Sequence, residues 1–417
     1  MSPQWSPAEV SVGALVAVIL LSCTSRINVG VLAIPLAWAV GAYAGLPADA
    51  VLAGFPSSLF VTLAGVTVLF TLAQANGTVG VLVRRLFSSP LGRDRLVPVL
   101  VFFVACAIST VGPGAIVSVA IVAPVATAIG MRAGLPVFLT ALMVANGANA
   151  GNLSPLSAVG IIANTRMAAA GLGGHEWKVW AANFVAHCLV GAVAYALLLR
   201  KRAPSAAAIA EAPAASLTRP QWITLVVVSL WVAGVVALRL PIGLSAFAAS
   251  AVIVLARAGD DTAAVRQMPW AAILMVCGMT MLVALVEKTG GMDVFTRLLA
   301  ALASPATING VIAFVTGIIS TYSSTSAVVM PTFLPTVPGL VQQVGGGDPL
   351  AVALSINVGS SLVDVSPLST LGALCVAAVA DPDAARDLFR KLMIWGLSMS
   401  LVGALLCQLF ANAFARF

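Results

Sequence analysis

Residues 152–157 read NLSPLS and residues 364–369 read DVSPLS, the same Ser-Pro-Leu-Ser written twice at a spacing of 212. An Asn stands two places before the first Ser-Pro pair and an Asp two places before the second, and both copies lie inside long apolar regions. A hydroxyl residue followed by proline suits a helix start: Ser fits the N-cap, and Pro fits the first helical position, where a missing N–H costs nothing. Two such starts inside apolar segments predict two helices that break in mid-course.

The chain that carries these breaks is built for lipid. Of its 417 residues 60% are hydrophobic and 8% charged, and the mean hydropathy is +1.07; a soluble domain carries roughly a quarter charged residues. Apolar runs of the ~20 residues a membrane helix needs recur from end to end, and no stretch alternates as a barrel strand would. The predicted fold is all-α and polytopic. The N-terminal MSPQWSPAEV has no basic region before its first apolar run, so no removable signal peptide is expected. Cys23, Cys106, Cys188, Cys277, Cys375 and Cys407 are isolated within apolar segments, without metal-site or disulfide spacing. The net charge of +7 is explained by basic residues between spans, so no nucleic-acid partner is expected.

Sliding the chain on itself by 212 or 213 residues gives matches well beyond Ser-Pro-Leu-Ser. Arg26 and Gly30 meet Arg239 and Gly243; Pro56, Gly65, Thr67, Gly77 and Arg84 meet Pro269, Gly278, Thr280, Gly290 and Arg297; Ile108-Ser109-Thr110 returns as Ile319-Ser320-Thr321. The predicted organisation is therefore a first repeat over 1–200, a cytoplasmic Ala/Pro/Ser-rich linker over 201–220, and a second repeat over 221–417. In the first repeat the pattern predicts spans at about 10–24, 27–45 and 56–75, then an amphipathic stretch carrying Arg84 and Arg85. A region at 96–130 follows, interrupted at Gly112-Pro113-Gly114, then 135–171, interrupted at Ser-Pro-Leu-Ser, and a last span at 181–199.

If 96–130 is a re-entrant hairpin, each repeat crosses five times and the two are inverted. Of the 21 Lys and Arg residues, 15 then fall on one side (Arg26, Arg84, Arg85, Arg93, Arg95, Arg132, Arg200, Lys201, Arg202, Arg219, Arg257, Arg266, Arg386, Arg390 and Lys391). Arg166, Lys178, Arg239, Lys288, Arg297 and Arg416 fall on the other. The basic side is cytoplasmic by the positive-inside rule, which places both termini outside the cytoplasmic membrane.

Freed backbone at membrane depth is tolerated only where protein or a water-filled cavity satisfies it, so the breaks are expected to line a site. Half-helix N-termini there favour anions and unwound carbonyls favour cations, a design of secondary transporters. The expected substrate contacts are Ser154, Pro155 and Ser157 at the first break, and Ser366, Pro367 and Ser369 at the second. Hairpin tips add Gly112 and Gly114 in the first repeat and Ser323, Ser324, Thr325 and Ser326 in the second. Upstream of the breaks, Asn146, Asn149, Asn152, Asn357, Ser360, Ser361 and Asp364 offer oxygens to a hard cation, sodium being the candidate metal. Asp364 is the most deeply placed acid, able to ligate a cation or carry a coupling proton. His187 reads as a packed core residue, Arg166 as an interfacial residue that snorkels outward, and Glu287 and Lys288 as an ordinary pair at a span end.

The segments YSSTSAVVMPTFLP (322–335), NGANAGNLSPLSAVGIIAN (146–164) and SSLVDVSPLSTLGAL (360–374) resemble the ion transporter superfamily, most closely the MatC-type dicarboxylate (malonate) carriers, relatives of the divalent anion and sodium symporters. The resemblance implies a cation-coupled symporter for a small dicarboxylate, with hairpin tips and breaks holding sodium and carboxylates. It also implies a homodimer in which a transport domain moves as an elevator. The family's Ser-Asn-Thr tip reads Ser323-Ser324-Thr325 here, and Gly-Pro-Gly in the first repeat. No cofactor is expected beyond the coupling ion, sodium or a proton. No HExxH, GxSxG or second buried Asp supports an enzyme, and no ring of acids a channel. A cation/proton antiporter is the nearest rival, kept open by the lone Asp364; a carrier of another organic or inorganic anion is the other.

Overall fold

The computed structural model describes residues 5–24, 27–87, 96–112, 114–199, 216–268, 270–379 and 381–416. Every regular element among them is helical. The linker segment 200–215, Pro113, the side chains of Arg84 and Arg85, and Arg26, Arg93, Arg95, Arg200, Lys201 and Arg202 of the charge assignment lie outside the described residues.

The first half runs α1 (Pro7–Thr24), α2 (Val29–Tyr43), α3 (Ala48–Leu52), α4 (Ser57–Ala75), α5 (Thr78–Phe87), α6 (Val97–Val111), α7 (Gly114–Arg132), α8 (Val137–Asn152), α9 (Ala158–Ala169) and α10 (Glu176–Leu198). The second runs α11 (Arg219–Leu238), α12 (Ile242–Leu255), α13 (Asp261–Gln267), α14 (Trp270–Lys288), α15 (Gly291–Ala300), α16 (Ile308–Tyr322), α17 (Met330–Phe333), α18 (Val337–Val344), α19 (Pro349–Leu362), α20 (Thr370–Ala377) and α21 (Pro382–Arg416). The order recurs element by element. Helices begin at 29 and 242, 48 and 261, 57 and 270, and 78 and 291, each pair 213 apart, and at 137 and 349 and 158 and 370, each 212 apart.

Local chemistry sets these starts. Asp348 accepts from the N–H groups of Leu350 and Ala351 at 2.9 and 3.3 Å with Pro349 next in line, and Asn28 accepts from Gly30 N at 3.0 Å. Thr218 and Gln221 form a reciprocal capping box at the head of α11. Five of the described helices are long and apolar enough to cross a membrane: Ser57–Ala75, Gly114–Met131, Glu176–Leu198, Pro349–Ala377 taken across its break, and Pro382–Arg416. Several other expected spans appear as apolar helices too short to cross alone, such as Pro7–Leu21, Gly30–Tyr43 and Ile242–Leu255, whereas the expected 135–171 segment is divided into α8 and α9 and belongs to neither group. α14 and α15 meet at 95°, so α15 leaves the direction of the span that precedes it. The last span of the first half starts at Glu176 rather than near 181, because its first turn carries Glu176 and Lys178, which hydropathy counts against it.

Two glycine pairs lock the halves together. A β-carbon on Gly30 of α2 would lie 2.2 Å from the carbonyl of Leu274 on α14, and one on Gly278 would lie 2.4 Å from the carbonyl of Gly30. In the same way a β-carbon on Gly65 of α4 would lie 2.3 Å from the carbonyl of Gly243 on α12, and one on Gly243 would lie 2.5 Å from Thr62 Cα. Gly30 and Gly243 are repeat partners, as are Gly65 and Gly278, so each repeat lends one glycine to each crossing. Apolar surface gives no net drive for helix pairing in lipid, and close backbone approach at small residues takes its place.

The two hairpins differ in build. α6 and α7 are continuous helices that turn at Gly112, with Pro124 accommodated inside α7. The partner arm after α16 is broken into a π turn (Thr325–Val329), α17, a 3₁₀ turn (Leu334–Thr336) and α18. Pro331, Pro335 and Pro338 each remove an N–H donor along that arm, which keeps a regular ladder from forming. The arms also exchange partners: α7 packs on α20, beyond the second break, and α17 packs on α9, beyond the first.

Candidate functional site

At the first break, α8 ends at Asn152 and the chain makes a tight turn. Ser157 N–H donates to Ser154 O at 2.9 Å with Pro155 between them, and Leu156 N–H donates to Ser154 Oγ at 3.2 Å. Pro155 thus occupies the second position of a β-turn, which its fixed φ favours. α9 starts after Ser157, not after Ser154. The second break repeats this: Ser369 N–H donates to Ser366 O at 2.9 Å, Leu368 N–H to Ser366 Oγ at 3.3 Å, and α20 starts after Ser369. The expected caps Ser154 and Ser366 are turn residues, and the N-cap positions fall three residues on, at Ser157, whose Oγ is buried without a hydrogen-bond partner, and at Ser369, whose Oγ accepts from Gly372 N–H. Ser-Pro starts turns as well as helices, and here the serine hydroxyl is consumed by the turn.

Each turn folds tightly onto the helix that follows. A β-carbon on Gly160 would lie 1.9 Å from Ser154 O, and one on Gly372 would lie 2.2 Å from Ser366 O. The turn serines Ser154, Ser157 and Ser366 are fully buried, while Leu368 and Thr370 at the start of α20 are exposed. Such helix starts leave N–H groups without intrahelical acceptors and carry the positive end of the dipole.

Each hairpin tip is tied to its own break through the repeat-matched positions 152 and 364. In the first half Ala115 N–H, at the start of α7, donates to Asn152 Oδ1 at 3.0 Å, and Ala158 N–H donates to Gly112 O at 3.2 Å. Gly114 has φ +76°, and a β-carbon there would sit 3.4 Å from Asn152 Oδ1 and 3.7 Å from Ser157 Oγ, so bare backbone lets the tip close on the break. In the second half Ser320 Oγ donates to Asp364 Oδ1 at 3.4 Å, the Ser320 and Thr325 hydroxyls are hydrogen bonded to one another, and Thr325 Oγ1 donates to Ser360 O at 3.3 Å. Ser324 caps the descending arm by accepting from Ala327 N–H at 3.2 Å. Ser369 Oγ donates to the carbonyls of Asp364 and Ser366 and accepts from Gly372 N–H at 3.5 Å. Ser323, Ser324 and Ser326 are partly exposed at this tip, as is Pro155 at the first break, whereas Pro367 is buried.

The remaining expected cation ligands lie elsewhere, where α8, α10 and α19 meet. Asn149 Nδ2 donates to Ser361 O at 3.3 Å, Ser361 Oγ donates to Asn183 Oδ1 at 2.6 Å, and Asn183 Nδ2 donates to Asn149 O at 2.6 Å. Asn146 Nδ2 donates to Leu142 O at 2.9 Å, leaving Oδ1 to accept from His187 Nδ1 at 3.1 Å. Asn357 Nδ2 reaches Met167 Sδ at 3.4 Å. All of these residues are fully buried or nearly so, and the side-chain oxygens of Asn149 and Asn357 have no hydrogen-bond partner. The seven candidates are thus split: Asn152, Ser360 and Asp364 belong to hairpin contacts, and Asn146, Asn149, Asn357 and Ser361 to the helix crossing. His187 sits in that crossing as a packed side chain.

Arg166 is partly buried on α9, with its Nε enclosed and unpartnered. Lys288 Nζ donates to Ala50 O at 3.2 Å, an ordinary tie between span ends. Two residues of the site carried no assigned role in the sequence reading. Ser320 lies in the repeated Ile-Ser-Thr motif, which marked the spot without saying what it touched. Asn183 lies in an apolar span with no partner nearby in sequence. Chemically, the second tip presents hydroxyls, a carbonyl and one carboxylate, an all-oxygen donor set suited to a hard cation. Among the described residues no group of three or more His, Cys, Asp or Glu side chains is placed to hold a metal ion.

Residues 6–152 match the family model for the N-terminus of the dicarboxylate carrier protein MatC. The match covers α1 through α8 and ends at Asn152, just before the first Ser-Pro-Leu-Ser. Two solved transporters share the fold. The YdaH transporter of Alcanivorax borkumensis, whose structure is described as having an unusual topology, aligns with a TM-score of 0.55 at 14% identity over 96% of this chain and 98% of its own. MtrF of Neisseria gonorrhoeae, described as illuminating a class of antimetabolite efflux pumps, aligns with a TM-score of 0.57 at 16% identity over 97% and 95%. No curated protein matches the sequence. The chain has the fold of a multi-pass membrane transporter, and its N-terminal part matches a dicarboxylate carrier family.

Proposed function

We propose that the protein is a cation-coupled symporter that moves a small dicarboxylate, such as malonate or a C4 dicarboxylate, across the cytoplasmic membrane. The observation that carries this reading is the pair of broken helices at matching positions, each beginning behind a Ser-Pro-Leu-Ser turn with buried turn serines and each tied to a hairpin tip. Two dipole ends supplied by two halves suit an anion with a carboxylate at each end. The MatC match over residues 6–152 supports a dicarboxylate in particular. The site residues are Gly112, Gly114, Ser154, Pro155 and Ser157 for one end, and Ser323, Ser324, Thr325, Ser366, Pro367 and Ser369 for the other. Asp364, with Ser320, Thr325 and Ser360 around it, is assigned to the coupling ion.

In this reading the repeats are inverted, the termini are extracytoplasmic, and the chain works as a homodimer. The glycine-locked crossings of α2 with α14 and α4 with α12 form the scaffold, and the hairpins and broken helices form the part that moves as an elevator. Sodium is the leading coupling ion because the tip is rich in neutral oxygens. The single carboxylate of Asp364 favours a proton as the second reading, including a cation/proton antiporter. Proteoliposomes separate these. Labelled malonate or succinate accumulates under an inward sodium gradient in the leading reading and under an inward proton gradient in a proton symporter; accumulation under neither overturns both symport readings, and sodium-for-proton exchange without dicarboxylate uptake marks the antiporter.

A further inference from the structure

Among the described residues, Asn183 bridges the two broken helices by side-chain hydrogen bonds from a third helix. Its Nδ2 donates to the carbonyl of Asn149 on α8, and its Oδ1 accepts from Ser361 Oγ on α19, both at 2.6 Å. A third bond, from Asn149 Nδ2 to Ser361 O at 3.3 Å, closes the triangle. Asn149 and Ser361 are 212 residues apart, the repeat spacing, so the two halves meet here at equivalent positions. Each stands five residues before the turn serine of its own break, Ser154 or Ser366. At 1.5 Å per residue that is about 7.5 Å along the helix axis.

The bridge is single. The position 212 residues after Asn183 is Trp395, which cannot both donate and accept in this way. Asn183 is fully buried, so neither of its bonds can be replaced by bulk water. α8 and α19 make little direct contact with one another; both pack on α10, the helix that carries Asn183, so their relative placement runs through α10 as well as through the packing of α20 on α8. We propose that Asn183 is a positioning residue that sets the separation of the two breaks and thereby the length of dicarboxylate the site accepts. The length claim rests on the function proposed above; the separation claim does not.

The test uses the full chain in proteoliposomes, with Asn183→Ala, Ser361→Ala and the double variant. A net buried hydrogen bond corresponds to about a fivefold effect. The ratio of kcat/KM for malonate over succinate is expected to change about fivefold in Asn183→Ala, through KM, with the cation concentration for half-maximal uptake unchanged. The double variant is expected to match Asn183→Ala, which already removes the bond that Ser361→Ala removes, and Ser361→Ala is expected to show a smaller change. A purely stabilising role lowers the melting temperature and scales both substrates alike, and an unchanged ratio in the folded variants overturns the length claim. A second readout needs no transport: spin labels at Val159→Cys and Leu368→Cys report the distance between the breaks. Asn183→Ala or, where that variant does not fold, Ser361→Ala is expected to shift or broaden this distribution, and an unaltered distribution overturns the separation claim. A wild-type chain that moves neither dicarboxylate refutes the proposed function and the length claim while the distance measurement still decides the separation.

Discussion

Asn152 and Asp364 occupy the same place in the two repeats and do the same structural task with different chemistry. Each joins its break to its hairpin tip, Asn152 by accepting from a backbone N–H of α7 and Asp364 by accepting from Ser320 Oγ. Asn152 is neutral and its Oδ1 accepts one N–H, while the carboxylate of Asp364 carries charge and acceptor capacity well beyond one hydroxyl. Asp364→Asn is accordingly expected to raise the cation concentration for half-maximal uptake by about tenfold or more, ~1.4 kcal/mol. Asn152→Ala is expected to lower uptake and stability while leaving the cation response unaltered. Equal changes in the cation response of the two variants count against the role given to Asp364. At this scale the sequence told position better than bonding. The asymmetry of 152 and 364 was legible, but Ser154 and Ser366 were read as caps, because Ser-Pro serves turn and helix start alike and only the following three residues decide. Asn183 was not legible, since its partners lie 34 and 178 residues away.

At the scale of elements, the breaks hold their shape by a serine carbonyl pressed against the next helix. Gly160 and Gly372 leave room for it, and a β-carbon at either would stand about 2 Å from that oxygen. Gly160→Ala and Gly372→Ala are each expected to lower stability by about 1–3 kcal/mol through overpacking. Thermal unfolding in detergent checks this; a melting temperature equal to that of the wild type shows that the turns give way easily. The breaks and hairpin tips were readable because Gly and Pro interrupt otherwise unbroken apolar runs. The uneven build of the second hairpin was written in Pro331, Pro335 and Pro338, yet its division into π, α and 3₁₀ turns depends on which carbonyls find donors in the packed structure. No sequence pattern supplies that.

At the scale of the molecule, the two halves interlock through Gly30 with Gly278 and Gly65 with Gly243. The repeat offset identified these four glycines as two aligned pairs, but the structure joins them crosswise, an outcome that self-comparison alone could not reveal. Gly278→Val is expected to force α2 from α14 and to reduce both stability and transport, with Gly278→Ala milder, as read by size-exclusion profile and uptake. Full activity of Gly278→Val argues against a rigid scaffold at this crossing. The central claim is that the two halves hold the two ends of one anion. Competition against labelled succinate uptake in proteoliposomes tests it most directly. Malonate and other short dicarboxylates are expected to compete, while monocarboxylates of equal length compete at least about tenfold more weakly, having lost one charged contact worth ~1.5–3 kcal/mol. Equal competition by monocarboxylates, or no succinate uptake to compete with, contradicts the account.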